Sequence, residues 1–207
     1  MSISKKQIIA VLGCGVIGFS WVKGFLSAGF EVQVWDPNTE VENKLALLKK
    51  EYPDAKLRFY SQVEEAVTNA DFIQENAPET LSIKQELYEK IAPFMGRDSI
   101  LASSTSTFKA SLLQESLPFA SRLVIGHPFN PPHLLPLVEV VGGTQTSEET
   151  VAKTMEFYKS IGKKPIQLNI EKKGHLANRL QAAVWREAVD AVLSGQASVE
   201  DVDTAIT

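Results

Sequence analysis

The sequence contains little of what several classes of protein require. Its 207 residues include one cysteine, Cys14, so no internal disulfide can form, and this suits a reducing compartment. No apolar run approaches the ~20 residues that a membrane-spanning helix needs. The formal net charge of -4 at pH 7 gives no electrostatic reason to expect a nucleic acid partner. We therefore expect a cytoplasmic protein that binds neither membranes nor nucleic acids.

Histidine is also scarce, with three in the chain: His127, His133 and His175. Zinc sites combine His, Cys and carboxylates at short, regular spacings, and no such spacing surrounds these three residues. We therefore expect no metal site, and we interpret His133 and His175 as structural or surface residues.

What the sequence does contain is a regular alternation of short apolar runs with amphipathic segments, which is typical of an α/β protein. The predicted strands cover 8–12, 30–35, 57–60, 71–75, 99–103, 122–127, 137–141 and 165–168. The predicted helices cover 16–28, 40–51, 62–68, 79–94, 109–117 and 147–161. This pattern predicts a doubly wound Rossmann domain with a mainly parallel sheet over residues 1–173.

Beyond residue 173 the pattern is helical only. A long helix over 175–193 ends before Gly195, and Ser198 is placed to cap a shorter helix that begins at Val199. A helical segment of this size has little apolar surface of its own to bury. We therefore interpret residues 174–207 as the start of an all-helical second domain.

A glycine-rich turn joins the first predicted strand to the first predicted helix, in the order Gly13-Cys14-Gly15-Val16-Ile17-Gly18. This spacing between a strand and a helix is the fingerprint of a dinucleotide-binding turn. Gly13 permits the tight turn, Gly15 lets the backbone approach a pyrophosphate, and Gly18 lets helix and strand pack closely. The N–H groups of Val16 and Ile17 would face the phosphates at the positive end of the helix.

Asp36 ends the second predicted strand, where a carboxylate accepts hydrogen bonds from the adenosine ribose hydroxyls. A carboxylate there repels the 2′-phosphate of NADP. No Arg or Lys follows in Pro37-Asn38-Thr39 to bind that phosphate. The sequence therefore predicts NAD rather than NADP as the cofactor.

His127 lies at the carboxyl end of a predicted strand, the edge at which open α/β sheets bind ligands. Glu139 interrupts an otherwise apolar strand, and a buried carboxylate needs a partner. Pairing the two would orient the imidazole to shuttle a hydroxyl proton while hydride moves. Taken singly, His127 could be a structural residue and Glu139 a surface residue. Together, beside a nucleotide-binding fold, they predict a catalytic pair.

Hydroxyl side chains cluster at the end of another strand, in Ser103-Ser104-Thr105-Ser106-Thr107. They could hold a substrate oxygen or the nicotinamide ribose, or they could cap the helix predicted from Lys109. Cys14 also has two interpretations: a thiol activated at a helix N-terminus, or a small apolar residue filling a tight loop. We favour the second, because the chain has no resolving cysteine for redox chemistry.

Together these motifs resemble the 3-hydroxyacyl-CoA dehydrogenase superfamily over essentially the whole chain. In that family a strand-end Asp follows the glycine turn, the catalytic His precedes Phe-Asn-Pro, and its partner Glu lies in Leu-Val-Glu-Val. Asp36, His127 and Glu139 match these positions, with one extra proline directly after His127.

The resemblance implies roles for further residues. In the family a Glu, and a Lys five residues later, contact the nicotinamide half of the cofactor site; Glu79 and Lys84 match both, with Ala77 close before them. Ser106 matches the substrate-binding serine of a Ser-Asn-Thr-Ser stretch, which is Ser-Ser-Thr-Ser here. Asn178 matches an asparagine on the first helix of the second domain that completes the catalytic site.

Departures from the acyl-CoA members indicate a subgroup. Those members carry a long helical excursion after the second strand that clasps CoA, and the short chain between Asp36 and Phe72 leaves little room for it. The His-Pro-Phe-Asn-Pro-Pro and Ser-Ser-Thr-Ser stretches resemble the L-carnitine 3-dehydrogenase type first, the lambda-crystallin/L-gulonate 3-dehydrogenase type second and the acyl-CoA type third. The resemblance therefore implies hydride transfer between NAD and the 3-hydroxyl of a small 3-hydroxy acid such as L-carnitine.

Two other classes of function stay open at this point. A non-catalytic protein would bind NAD without turnover, and a dimerisation or regulatory fragment would bind NAD without a substrate. Members of the superfamily usually continue with further helices that complete the second domain and the homodimer. We therefore expect the 207-residue form to bind NAD but to turn over poorly, because its helical core is incomplete.

Overall fold

The structure is a computed structural model that describes residues 7–207; the first six residues of the predicted Rossmann domain lie outside this range. By its internal contacts the chain divides into two compact units. The first unit reaches to Lys173 and contains the whole sheet, and the second runs from Gly174 to Thr207 and contains two helices.

The first unit is built on one sheet of parallel and antiparallel strands. The strands are β1 (Ile8–Leu12), β2 (Glu31–Trp35), β3 (Leu57–Tyr60), β4 (Phe72–Glu75), β5 (Ile100–Ser103), β6 (Leu123–Pro128), β7 (Leu137–Gly142) and β8 (Lys164–Leu168). Their order is β3-β2-β1-β4-β5-β6-β7-β8. All neighbours are parallel except β6 and β7. The order reverses between β1 and β4, which is the switch point at which doubly wound folds bind ligands. The predicted Rossmann fold is confirmed.

Helices pack against both faces of this sheet. They are α1 (Val16–Ser27), α2 (Val41–Glu51), α3 (Val63–Val67), α4 (Leu81–Ile91), α5 (Ala110–Leu113) and α6 (Glu148–Ser160). Because successive strand residues face opposite sides, the apolar residues form two cores. One core contains Trp21, Phe25 and Tyr158, and the other contains Tyr88 and Phe119.

Two predicted helices are shorter in the structure, and side-chain hydrogen bonds explain both differences. α4 begins at Leu81 because Glu79 directs its carboxylate to the segment 105–107 instead of starting the helix. α5 ends at Leu113, where the Gln114 side chain donates to the Ala120 carbonyl at 2.7 Å. Ser116 then adopts a φ of 62°, which no right-handed helix accommodates.

The second unit consists of α7 (Ala177–Leu193) and α8 (Val199–Ile206). Ser198 caps α8 as predicted: its hydroxyl accepts from the Asp201 N–H at 3.1 Å, and the Asp201 carboxylate accepts from the Ser198 N–H at 3.3 Å. None of the residues of α7 and α8 is buried. Neither these helices nor any other within residues 7–207 is long and apolar enough to cross a membrane.

Candidate active site

The glycine turn after β1 has the geometry that its sequence predicts. Gly13 adopts a φ of +81°, and a Cβ on it would lie 2.7 Å from the Asn76 carbonyl oxygen. A Cβ on Gly18 would overlap the Gly13 carbonyl. By contrast, nothing lies within 4 Å of the place where a Cβ on Gly15 would stand. The fold therefore requires glycine at 13 and 18, whereas the open space beside Gly15 is available to a ligand.

Asp36 follows β2 directly and organises the turn. One carboxylate oxygen accepts from the Cys14 N–H at 2.6 Å, and the other accepts from the Asn38 N–H at 2.8 Å. α1, which lies wholly in the described part of the chain, has no acidic residue in its first turn and no side-chain cap. The N-terminal N–H groups of α1, including those of Val16 and Ile17, thus keep the positive end of the helix dipole for an anion.

We expect Cys14 to be chemically inert in the folded protein. The residue is 3% exposed, and burial, with the nearby Asp36 carboxylate, raises the pKa of its thiol to about 12. Because the thiolate is the reactive form, dithionitrobenzoate at mildly alkaline pH should label the protein no faster than it unfolds. The same reagent should react rapidly in urea. Rapid labelling of the native protein would instead support the activated-thiol interpretation.

His127 and Glu139 face each other across the antiparallel β6–β7 pair. They are direct partners in the register of the two strands, and His127 Nδ1 lies 2.8 Å from Glu139 Oε2. Glu139 is 0% exposed and His127 is 6% exposed. The Phe129 ring packs edge-on against the imidazole at a centroid distance of 4.9 Å. The imidazole is therefore held by a carboxylate on one nitrogen and by a ring on its side.

Glu79 holds the hydroxyl-rich segment that follows β5. Its Oε1 accepts from the Thr105 hydroxyl at 2.6 Å, the Thr107 hydroxyl at 2.7 Å and the N–H groups of Ser106 and Thr107 at 3.0 Å each. Partial burial by itself raises the pKa of Glu79, but the bonds from Thr105 and Thr107 and the Lys84 ammonium hold it below its ordinary value. The backbone of Ser106 is thus positioned by a carboxylate from a different loop.

Glu75, to which none of the sequence motifs assigns a role, is the centre of a buried polar cluster. Its carboxylate, 0% exposed, contacts Lys84, Tyr88 and Ser103. The Lys84 side chain is 1% exposed, and its ammonium also donates to the Ala77 carbonyl at 3.1 Å. The signal for this cluster in the sequence was a charged residue at the end of an apolar strand, because a buried carboxylate needs hydrogen-bond donors around it.

A second buried chain of hydrogen bonds runs through the neighbouring residue, Gln74. The Tyr158 hydroxyl donates to Gln74 Oε1 at 2.6 Å, and Gln74 Nε2 donates to the Ser104 hydroxyl at 2.9 Å. Ser104 in turn donates to Asn76 Oδ1 at 2.7 Å. Gly126 is required here, because a Cβ on it would overlap the Tyr158 hydroxyl. Ser104 stands where the family's Ser-Asn-Thr-Ser stretch has asparagine, and its small hydroxyl bridges the side-chain amides of Gln74 and Asn76.

The sheet brings these groups to one edge. Leu12, Glu75, Ser103 and Ile125 are side by side in the register of β1, β4, β5 and β6. Each of these residues leads into one part of the site. The glycine turn follows Leu12, the loop with Glu79 follows Glu75, the hydroxyl-rich segment follows Ser103, and His127 follows Ile125. Asn178 lies in the first turn of α7, in the second unit. Within residues 7–207 no three His, Cys, Asp or Glu residues are grouped as a metal site would need.

Two family models match the chain. The 3-hydroxyacyl-CoA dehydrogenase NAD-binding domain matches residues 42–171, and the 3-hydroxyacyl-CoA dehydrogenase C-terminal domain matches residues 174–207.

Curated relatives with similar sequences include several L-carnitine dehydrogenases. The enzyme of Streptomyces coelicolor is 42% identical over 96% of this chain and 67% of its own length. That of Bacillus cereus is 42% identical over 96% of this chain and 65% of its own length. That of Pseudomonas putida is 42% identical over 99% of this chain and 68% of its own length. The chain thus spans about two thirds of the length of these relatives.

Solved structures of the same fold include dehydrogenases with other substrates. An NAD-dependent 5-formyl-3-hydroxy-2-methylpyridine 4-carboxylic acid 5-dehydrogenase has a TM-score of 0.87 and 32% identity, over 97% of this chain and 70% of that one. The 3-hydroxybutyryl-CoA dehydrogenase of Escherichia coli has a TM-score of 0.85 and 25% identity, over 94% of this chain and 44% of that one. With both family models matched and NAD as the family's cofactor, the chain belongs to the 3-hydroxyacyl-CoA dehydrogenase family of NAD-dependent oxidoreductases.

Proposed function

We propose that this chain carries the cofactor site and the acid–base pair of a dehydrogenase that oxidises the 3-hydroxyl of a small 3-hydroxy acid, with L-carnitine as the first candidate. The observation that carries the proposal is the buried pair of His127 and Glu139, 2.8 Å apart, at the sheet edge that also bears the glycine turn. When bound, NAD supplies the carbon that accepts the hydride.

The acid–base step belongs to His127. Its Nε2 accepts the proton of the substrate hydroxyl as a hydride leaves the carbon that carries this hydroxyl. The 3-hydroxy acid thereby becomes a 3-keto acid. Glu139 acts through Nδ1: it orients the ring and stabilises the imidazolium that forms. In the reverse direction the imidazolium returns the proton to the oxygen.

Other residues position the two reactants. Asp36 accepts from the adenosine ribose, and the N–H groups of Val16 and Ile17 bind the pyrophosphate beside Gly15. Ala77 and Glu79 border the nicotinamide half. Lys84 was expected to contact it directly, but its side chain is 1% exposed, so it supports these two residues from behind. Ser106 holds a substrate oxygen, and Asn178 has the catalytic role that the resemblance implies for it.

The names of the relatives support the carnitine type over the two alternatives. Over the aligned residues, three L-carnitine dehydrogenases from different bacterial genera are 42% identical to the chain, whereas the 3-hydroxybutyryl-CoA dehydrogenase is 25% identical. L-gulonate remains the second candidate and a 3-hydroxyacyl-CoA the third. We further propose that the helical unit serves the substrate and a homodimer, and that the protein works in the reducing cytoplasm.

A parallel assay tests the proposal. NADH formation is followed by absorbance with L-carnitine, L-gulonate and a 3-hydroxyacyl-CoA at alkaline pH, where loss of the hydroxyl proton is favoured. We expect NADH with L-carnitine and none with the acyl-CoA. Activity on the acyl-CoA alone would overturn the substrate class. If none of the three is oxidised while NADH still binds, the protein is an incomplete catalyst or a non-catalytic NAD-binding protein.

A further inference from the structure

Glu75 is a buried carboxylate that takes no part in the proton or hydride transfer just described. Its Oε1 accepts from the Ala77 N–H at 2.6 Å and from Lys84 Nζ at 2.7 Å. Its Oε2 accepts from the Tyr88 hydroxyl at 2.5 Å and from the Ser103 hydroxyl at 2.6 Å. Each oxygen therefore has two donors, and these come from a loop, a helix and a neighbouring strand.

Stability does not explain this ion pair. Lys84 and Glu75 are 1% and 0% exposed, and removing two charges from water costs about as much as their attraction returns. Apolar residues of similar volume often serve a core equally well or better. The role of the pair therefore lies in the groups that it holds in place.

The pair holds the backbone of Ala77 through both of its polar groups. Glu75 accepts from the Ala77 N–H, and the Lys84 ammonium donates to the Ala77 carbonyl at 3.1 Å. The glycine turn has separate anchors, because the Gly13 N–H donates to the Trp35 carbonyl at 2.9 Å and the Cys14 N–H donates to Asp36. Losing Glu75 would therefore loosen the loop after β4 and leave the adenosine side in place.

Lys84 extends the same support to a second loop. Its ammonium lies 3.7 Å from Glu79 Oε2, while Glu79 Oε1 holds the backbone of Ser106 and Thr107. Charges thus alternate from Glu75 through Lys84 to Glu79 and reach the hydroxyl-rich segment. An unpaired Lys84 would be drawn toward Glu79 and would shift both loops.

We propose that Glu75 is a positioning residue for the nicotinamide half of NAD: it fixes Lys84, the Ala77 backbone and, through Glu79, the segment that contains Ser106. The inference rests on the proposed placement of the nicotinamide at these loops. It does not depend on the identity of the substrate, because cofactor binding alone reports on it.

The test compares two ligands that share the adenosine side. Glu75→Gln keeps the shape of the side chain and removes its charge. Calorimetry on the full chain should show the Kd for NADH raised by about tenfold, the lower end of what supporting residues contribute at metal sites. The Kd for ADP-ribose, which lacks nicotinamide, should be unchanged.

Two further variants keep the test decisive. Thr154→Val removes a different buried hydrogen bond, from the Thr154 hydroxyl to the Thr150 carbonyl, and should lower the melting temperature without changing either Kd. Glu75→Asp keeps the charge but retracts the carboxylate, so it should show the same selective loss if Glu75→Gln does not fold. Equal weakening of NADH and ADP-ribose, or no weakening of either, would overturn the inference. Wild-type protein that binds NADH without oxidising L-carnitine would overturn only the proposed function.

Discussion

Replacing His127 by alanine is expected to lower kcat by about 10²–10⁴-fold, the usual contribution of a positioned acid–base group. The affinity for NADH should stay the same, because the cofactor residues lie in the glycine turn and the loops after β4 and β5. Without the imidazole, the proton of the substrate hydroxyl must go to water. The measurement is steady-state NADH formation, with NADH binding followed separately by calorimetry.

Two companion variants separate catalysis from structure. Glu139→Gln keeps the volume beside His127 but removes the negative charge that stabilises the imidazolium, so kcat should fall while the protein stays folded. His133→Asn is the matched control: His133 Nδ1 lies 2.7 Å from the Ser20 hydroxyl, and its loss should leave kcat near the wild-type value. Wild-type turnover by His127→Ala would show that the pair is not the acid–base group.

Gly15→Ala should abolish most NAD binding without disturbing the fold. The backbone of Gly15 has a φ of -65°, which alanine adopts readily, and a Cβ there meets nothing within 4 Å. The same Cβ would stand where the pyrophosphate approaches the backbone. We expect the Kd for NADH to rise by at least about tenfold, which corresponds to about 1.4 kcal/mol, with an unchanged circular dichroism spectrum.

The control for this variant lies in α1, the helix that follows Gly15. Gly24→Ala places a Cβ 4.0 Å from the His133 Cα, an ordinary contact. Because alanine is favoured over glycine inside a helix by about 0.5–1 kcal/mol, this variant should be slightly more stable and should bind NADH normally. If Gly15→Ala also binds NADH normally, the pyrophosphate does not pass this turn.

The arrangement of buried charge links these predictions. Glu75 and Glu139 are both fully buried, and each has a basic partner within 3 Å: Lys84 at 2.7 Å and His127 at 2.8 Å. The two partnerships differ in use. Lys84 ties loops together, whereas in the proposed function His127 transfers a proton. A carboxylate partner suits both, because it stabilises the cationic form in each case.

The sequence by itself determined the elements of this protein and part of its site. Alternating apolar runs and amphipathic segments predicted each strand, because the burial of a strand or a helix face leaves a local period in the sequence. Glycine spacing and the strand-end Asp36 predicted the cofactor turn for the same local reason. The proximity of His127 and Glu139 also followed, since two consecutive strands brought a histidine and a lone carboxylate within reach.

The tertiary structure alone decided which distant polar groups meet. Glu75 and Ser103 are partners because β4 and β5 pair in register, and Gly126 is required because α6 places Tyr158 beneath it. The short α5 follows from hydrogen bonds of Gln114 to residues beyond the helix. None of these contacts leaves a repeating pattern in the sequence from which it could be predicted. They depend on strand order and on the packing of helices over the sheet, which only the folded chain specifies.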